Sequence, residues 1–154
     1  MHIDWNKNCV VCGFSGVGKT TAEQKKKNIF DFESSIYSHI WLDGELQPDK
    51  TFPKNYIDAV LNRCSEYTGE IYLLSCHQEV RDELKRRGVG YIIIMPTLDQ
   101  KNEYLKRWLQ RGSSIGFIKS MEERWEEMIK SCENDDAPKI YLKENEHIID
   151  VLPM

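Results

Sequence analysis

Residues Cys9-Val10-Val11-Cys12-Gly13-Phe14-Ser15-Gly16-Val17-Gly18-Lys19-Thr20 decide how the chain is read. The first four are apolar throughout, which marks a short strand covered on both faces rather than one. The next eight fit G-x-x-x-x-G-K-[ST] at every required position. A triphosphate has to be wrapped closely by main-chain N–H groups, so glycine stands where a side chain would block the approach. A helix starting near Gly18 adds its unpaired N–H groups and the positive end of its dipole. In this pattern Lys19 reaches the β- and γ-phosphates and the Thr20 hydroxyl holds Mg²⁺. Gly13, Ser15, Gly16, Val17, Gly18, Lys19, Thr20 and Thr21 are therefore the candidate ATP-binding residues, with ATP and Mg²⁺ as the expected cofactors.

Outward from this stretch the same alternation of apolar strand and amphipathic helix recurs. Further strands are expected at Ile29–Phe32, Ile71–Leu74, Tyr91–Met95 and Lys139–Leu142, with another at His147–Leu152. Helices are expected at Lys19–Lys27, Lys54–Tyr67, Gln78–Arg87, Gln100–Arg111 and Phe117–Cys132. Alternation of this kind implies βαβ units with right-handed crossovers. The expected fold is a three-layer α/β/α sandwich on a mainly parallel sheet of about five strands, of the P-loop NTPase type. The 154 residues suit a single domain, 1–154, with a lid region at about 101–120.

No apolar run approaches the roughly 20 residues needed to cross a bilayer, and the start MHIDWNKN lacks a secretory head, so a cytoplasmic protein with no membrane partner is expected. Lys and Arg number 21 against 25 Asp and Glu, a formal charge of -4, which disfavours a nucleic-acid partner. A homodimer is compatible with the composition. The five cysteines are odd in number and scattered, as reduced thiols are, and the Cys9/Cys12 pair has no second CxxC or histidine at metal-ligand spacing.

Ligands of open α/β sheets gather at the carboxyl ends of the strands. The first helix spans only about two turns, which suggests that the second strand lies directly beside the first and brings Asp31-Phe32-Glu33-Ser34-Ser35 close to the phosphates. Asp31 and Glu33 project to one side of an extended segment. Two acids there suit support of the metal and acceptance of a proton or a substrate hydroxyl; a helix cap is the alternative for Glu33. Asp31 is the second candidate metal ligand, and Asp31 with Glu33 are candidate substrate residues. After the third strand, His77 is a candidate pocket residue and Arg81 a candidate grip for an acceptor phosphate. Tyr37, His39, Trp41 and Phe52 suit either stacking on a base or packing, with Trp41 the candidate substrate contact. The acidic run Glu133-Asn134-Asp135-Asp136 reads as a solvated turn.

GFSGVGKT followed closely by FDFESS resembles the phosphate loop and acid pair of the small P-loop nucleoside and nucleotide monophosphate kinases, phage-type nucleotide kinases and shikimate-kinase-like enzymes included, with Glu33 where a second Asp is usual. Glu103-Tyr104-Leu105-Lys106-Arg107-Trp108-Leu109-Gln110-Arg111-Gly112 is similar to the element that carries the lid arginines of deoxynucleoside kinases. The resemblance spans about Cys9 to Val151. It implies that Arg107 and Arg111 contact the nucleotide, and their four-residue spacing does put them on one helical face. Lys19, Asp31, Arg107 and Arg111 are thus the candidate catalytic set.

The leading expectation is a kinase that moves the γ-phosphoryl of ATP to a nucleoside or deoxynucleoside monophosphate. A hydroxyl of a small metabolite, a nucleoside or a polynucleotide 5′ end is the alternative acceptor, and it requires a base, Asp31. A non-catalytic nucleotide-binding regulatory module is the reading from another class. No guanine-reading N-K-x-D supports it, and the third strand ends in Ser75-Cys76-His77 rather than in the acid of a motor or switch NTPase.

Overall fold

The computed structural model describes residues 3–153. Its frame is a five-stranded parallel sheet of β1 (Cys9–Gly13), β2 (Ile29–Asp31), β5 (Ile71–Ser75), β6 (Ile92–Met95) and β7 (Lys139–Tyr141), in the order β2-β5-β1-β6-β7. The three inner strands β1, β5 and β6 are buried on both faces: Val11 and Cys12, Leu73 and Leu74, and Ile93 and Ile94 are adjacent residues pointing opposite ways, and all six are 0 % exposed. This is the condition for a parallel sheet between two helical layers. The three-layer α/β/α fold expected from the sequence is the one observed.

The helices are α1 (Lys19–Lys25), α3 (Lys54–Glu66), α4 (Gln78–Arg86), α5 (Lys101–Gln110), α6 (Ile115–Glu123) and α7 (Trp125–Glu133), with the four-residue pieces α2 (Ser35–Ser38) and α8 (Ile148–Val151). A two-stranded antiparallel hairpin, β3 (His39–Leu42) and β4 (Glu45–Pro48), is inserted between β2 and α3. Its turn is Asp43-Gly44, both with positive φ (52° and 78°), the backbone that such a two-residue turn requires.

Three expectations are corrected. β2 does not lie beside β1. It pairs with β5, and Phe32 N–H continues the ladder to Leu73 O, so the crossover through α1 leaves a gap one strand wide that β5 fills. The segment His147–Leu152 is not a strand. Ile148 N–H bonds Val17 O, the Asp150 carboxylate accepts from His147 N–H, and the apolar run docks as α8, with Ile148 and Leu152 buried. The helix expected over Phe117–Cys132 is broken at Arg124 (φ -99°, ψ 4°), and the break separates α6 from α7.

The carboxyl ends of β2 and β5 are held level by one side chain. The Tyr56 hydroxyl, on α3, donates to Phe32 O at the end of β2 and accepts from Ser75 N–H at the end of β5 (3.2 Å). On the other side of β1, Phe14, Tyr104, Trp108, Phe117 and Trp125 form an edge-to-face aromatic cluster that ties the phosphate loop to α5, α6 and α7. No helix among the described residues is long and apolar enough to cross a membrane.

Candidate active site

A cleft of about 770 Å³ opens over the carboxyl ends of β1, β2 and β5. Its lining includes Gly13, Ser15, Gly16, Gly18, Lys19, Thr20 and Thr21 from the glycine-rich loop and the start of α1, Asp31 at the end of β2 and Glu33 beyond it, His77 and Arg81 after β5, Arg107 of α5 and Arg111 at its C-terminal cap. Two residues expected there are absent from it. Trp41 stands on the hairpin, 70 % exposed, outside the cleft lining. Val17 is fully buried; its N–H is taken by Phe14 O (3.2 Å) and its carbonyl by Ile148 N–H (2.8 Å), so it shapes the loop from behind rather than presenting a donor.

The loop's shape needs glycine at two points. Gly16 has φ +91°, and a Cβ there would stand 2.9 Å from Trp108 Nε1 and 3.2 Å from Tyr104 Cδ2. Gly18, with φ +98°, backs onto His147. Lys19 Nζ folds over the loop to donate to Gly13 O (2.9 Å), and burial lowers its pKa against the opposing pull of Asp31.

Thr20 Oγ1 donates to Asp31 Oδ2 at 3.0 Å. The other carboxylate oxygen of Asp31, Oδ1, is buried without a hydrogen-bond partner, as is Ser75 Oγ at the end of β5. Burial raises the Asp31 pKa, opposed by Lys19 and by the Thr20 hydrogen bond. An acid oxygen left unsatisfied beside a threonine hydroxyl is expensive unless something fills the place. Among the described residues no group of three or more His, Cys, Asp or Glu side chains is gathered for a metal. The oxygens of Thr20 and Asp31 suit a hard cation that takes one or two protein ligands and completes its shell with phosphate and water, as Mg²⁺ does. Glu33 Oε1 meets Ser35 N–H at 3.4 Å, at the start of α2, so it serves as a cap while lining the cleft.

The two arginines of α5 differ. Arg107 is committed to the protein: it donates to Gly16 O (3.0 Å), Glu146 O (2.6 Å) and Glu103 Oε2 (2.6 Å), and lies over the Tyr104 ring. It braces the glycine-rich loop against the segment that leads into α8 while lining the cleft. Arg111 crosses the cleft, donating to Ser113 Oγ (2.8 Å) and Ser15 Oγ (3.3 Å) with its guanidinium 5.4 Å from the Phe117 ring centre. Burial lowers its pKa.

Arg81 is likewise committed. Its side chain is 4 % exposed and pairs with the fully buried Asp135 carboxylate (2.9 Å). Its other donors go to Cys76 O (3.1 Å), Ser131 O (3.2 Å) and Ser131 Oγ (2.8 Å). The expected solvated turn at 133–136 is in fact anchored by this buried acid, which also accepts from Tyr91, Lys85 and Ala137 N–H. His77 begins α4 with its carbonyl capping Val80 and Arg81 N–H. The surrounding protein lowers its pKa, Glu79 opposes that shift, and Lys19 and Arg124 add to it.

Arg124, at the break between α6 and α7, lines the same half of the cleft and makes no side-chain hydrogen bond or ion pair among the described residues. Sequence reasoning passes over it because Ile118, Met121, Trp125 and Ile129 continue one apolar stripe through the break. Glu127 and Ser131, one and two turns further along α7, line the cleft too.

No family model matches the chain, and no curated protein does. Solved structures do match. One is the tunicamycin resistance protein of Deinococcus radiodurans, with a TM-score of 0.64 over 95 % of this chain and 91 % of that one, at 16 % identity. The likeness is one of fold. It extends over nearly the full length of both chains.

Proposed function

We propose that the chain is a phosphotransferase that moves the γ-phosphoryl group of Mg²⁺-bound ATP to a hydroxyl of a small acceptor. The observation that carries this reading is the meeting of Thr20 and Asp31 beside Lys19, with Asp31 Oδ1 buried and unpartnered at the mouth of a glycine-cradled loop. Thr20 and Asp31 would hold Mg²⁺, directly or through water, and the ion would neutralise charge on the β- and γ-phosphate oxygens. Loop N–H groups and Lys19 bind the triphosphate. Arg111, reaching over Ser15, supplies positive charge on the far side of the transferring group. Where Asp31 reaches the ion through water, its carboxylate remains free to accept the proton of the attacking hydroxyl.

The acceptor is where this reading departs from the monophosphate expected on sequence grounds. That expectation placed Arg81 on the acceptor phosphate, and Asp135, Ser131 and Cys76 now account for four of its hydrogen bonds. An acceptor that is already a phosphate also needs no base, whereas the cleft presents one. Arg124 is the observation on the other side. It lines the cleft with no side-chain hydrogen bond or ion pair among the described residues and could meet an acceptor phosphate in Arg81's place.

A coupled assay of ATP turnover over nucleosides, their 5′-monophosphates, small polyhydroxy compounds and a 5′-hydroxyl oligonucleotide separates the readings. Turnover confined to hydroxyl acceptors and lost in Asp31→Asn supports the proposal. Turnover with monophosphates alone, lost in Arg124→Ala, supports the second reading. ATP binding without transfer to any member overturns both.

A further inference from the structure

Two of the five cysteines meet in the wall of the cleft. Cys76, directly after β5, and Cys132, in the last turn of α7, line it together, with their Sγ atoms 3.4 Å apart although 56 residues separate them in the chain. The other three stand differently. Cys12 is wholly buried in β1, Cys9 points its thiol at the carbonyls of Asp4 and Lys7, and neither Cys9 nor Cys64 belongs to the cleft lining.

The approach is enforced by the backbone. Arg81 donates through Nε to the carbonyl of Cys76 and through Nη1 to the carbonyl of Ser131, the neighbour of Cys132, and the buried Asp135 fixes the same guanidinium. One rigid side chain thus clamps both cysteine backbones. Closing 3.4 Å to the bonded distance takes a movement of about 1.4 Å, within the reach of side-chain rotation and a small shift of α7.

We propose that Cys76 and Cys132 are a reversible oxidative modification site whose co-reactant is a small hydroperoxide admitted through the cleft. The Cys76 sulfur attacks the peroxide, the O–O bond breaks, and Cys76 becomes a sulfenic acid while its thiol proton leaves with the released oxygen as water. The Cys132 sulfur then attacks that of Cys76. An S–S bond forms, the S–O bond breaks, and the departing hydroxyl takes the Cys132 proton as a second water. Two thiols lose two electrons and one hydrogen peroxide is reduced to two waters. Cys76 is the more exposed of the two and meets the peroxide first, whereas Cys132 is buried behind it, which suits it to the second step. The product staples α7 to the carboxyl end of β5. Because Arg124, Glu127 and Ser131 ride on or cap α7, the bond fixes one wall of the cleft and leaves the phosphate loop untouched.

The test uses the full chain, reduced and then exposed to hydrogen peroxide, and does not depend on any transfer activity. The expected product is lighter by about two mass units. In a non-reducing tryptic digest, peptide 64–81 is joined to peptide 131–139, with fragmentation placing the link at Cys76 rather than Cys64, and a thiol reductant reverses it. Amide hydrogen exchange in α7 is expected to slow about tenfold or more on oxidation. Cys132→Ser abolishes the mass loss and lets Cys76 run on to a sulfinic acid; Cys64→Ser leaves the mass loss intact. A wild-type chain that gains oxygen atoms without joined peptides, or that links through Cys64, overturns the proposal. A Cys76–Cys132 link with unchanged exchange in α7 overturns the staple. The wild-type digest stands even where a variant fails to fold.

Discussion

Thr20 Oγ1 donates a 3.0 Å hydrogen bond to Asp31 Oδ2, joining the residue that closes the phosphate loop to the acid that ends β2, although β5 separates their strands in the sheet. The contact arises because α1 is only seven residues long and returns the chain at once to the carboxyl edge where it started. Asp31 is the group this account asks most of. Asp31→Asn is expected to lower transfer by about 10²- to 10⁴-fold, while affinity for metal-free ATP stays within a few-fold. Single-turnover rates of wild type and variant at saturating Mg²⁺-ATP, beside a titration with metal-free ATP, check both.

Gly16 is caught between its own φ and the indole behind it. Gly16→Ala forces a left-handed backbone on an L residue, at about 1–2 kcal/mol, and drives a methyl group against Trp108 Nε1. Nucleotide affinity is expected to drop at least about tenfold, which corresponds to about 1.4 kcal/mol. Gly112→Ala is the control: φ is +85° there as well, but nothing lies within 4 Å. It should cost stability in a thermal melt and leave binding unchanged.

The Arg81–Asp135 pair holds α4 to the turn after α7. Removing one partner strands a buried charge, so Asp135→Ala is expected to destabilise the fold by about 3–5 kcal/mol in denaturant titrations. Burial alone would raise the Asp135 pKa, but hydrogen bonds from Ala137 N–H, Arg81, Tyr91 and Lys85 outweigh it and hold the carboxyl far below its usual range. A depressed carboxyl stabilises the fold above its unfolded value of about 3.9, and that stability drains away as pH falls from there through the folded value. The variant's stability should therefore depend less steeply on pH below about 5 than that of wild type.

Arg107 makes a different prediction from a nucleotide-contacting arginine. Because it ties Gly16 O to Glu146 O and Glu103, Arg107→Lys should fail to restore what Arg107→Ala removes, a single ammonium being unable to span the three acceptors. Both variants should lower the melting temperature in the absence of nucleotide. An arginine that acts only on bound nucleotide would leave that temperature where it was.

The turn from β1 into α1 was legible because Gly13, Gly16 and Gly18 stand at close spacing between an apolar run and a helix-compatible one. The strands were legible because burial on both faces leaves an unbroken apolar run. Their order was not, since nothing in residues 9–32 says that Ile71–Ser75 will later occupy the gap between β1 and β2. His147–Leu152 has the β-branched run of a strand, and a tertiary hydrogen bond to Val17 O with the Asp150 cap outweighs that local preference. Arg81 reads as exposed in a first helical turn because the acid that buries it lies 54 residues further on. Trp41 fits a stacking residue by composition, and only the three-dimensional course of the hairpin shows that it stands clear of the cleft.

Isothermal titration of ATP with Mg²⁺ into wild type and Lys19→Ala addresses the central claim most directly. The account predicts one site per chain, with a dissociation constant between about 1 μM and 1 mM, weakened about tenfold or more in the variant and dependent on the metal. Absence of binding to wild type, or equal binding by Lys19→Ala, would contradict it.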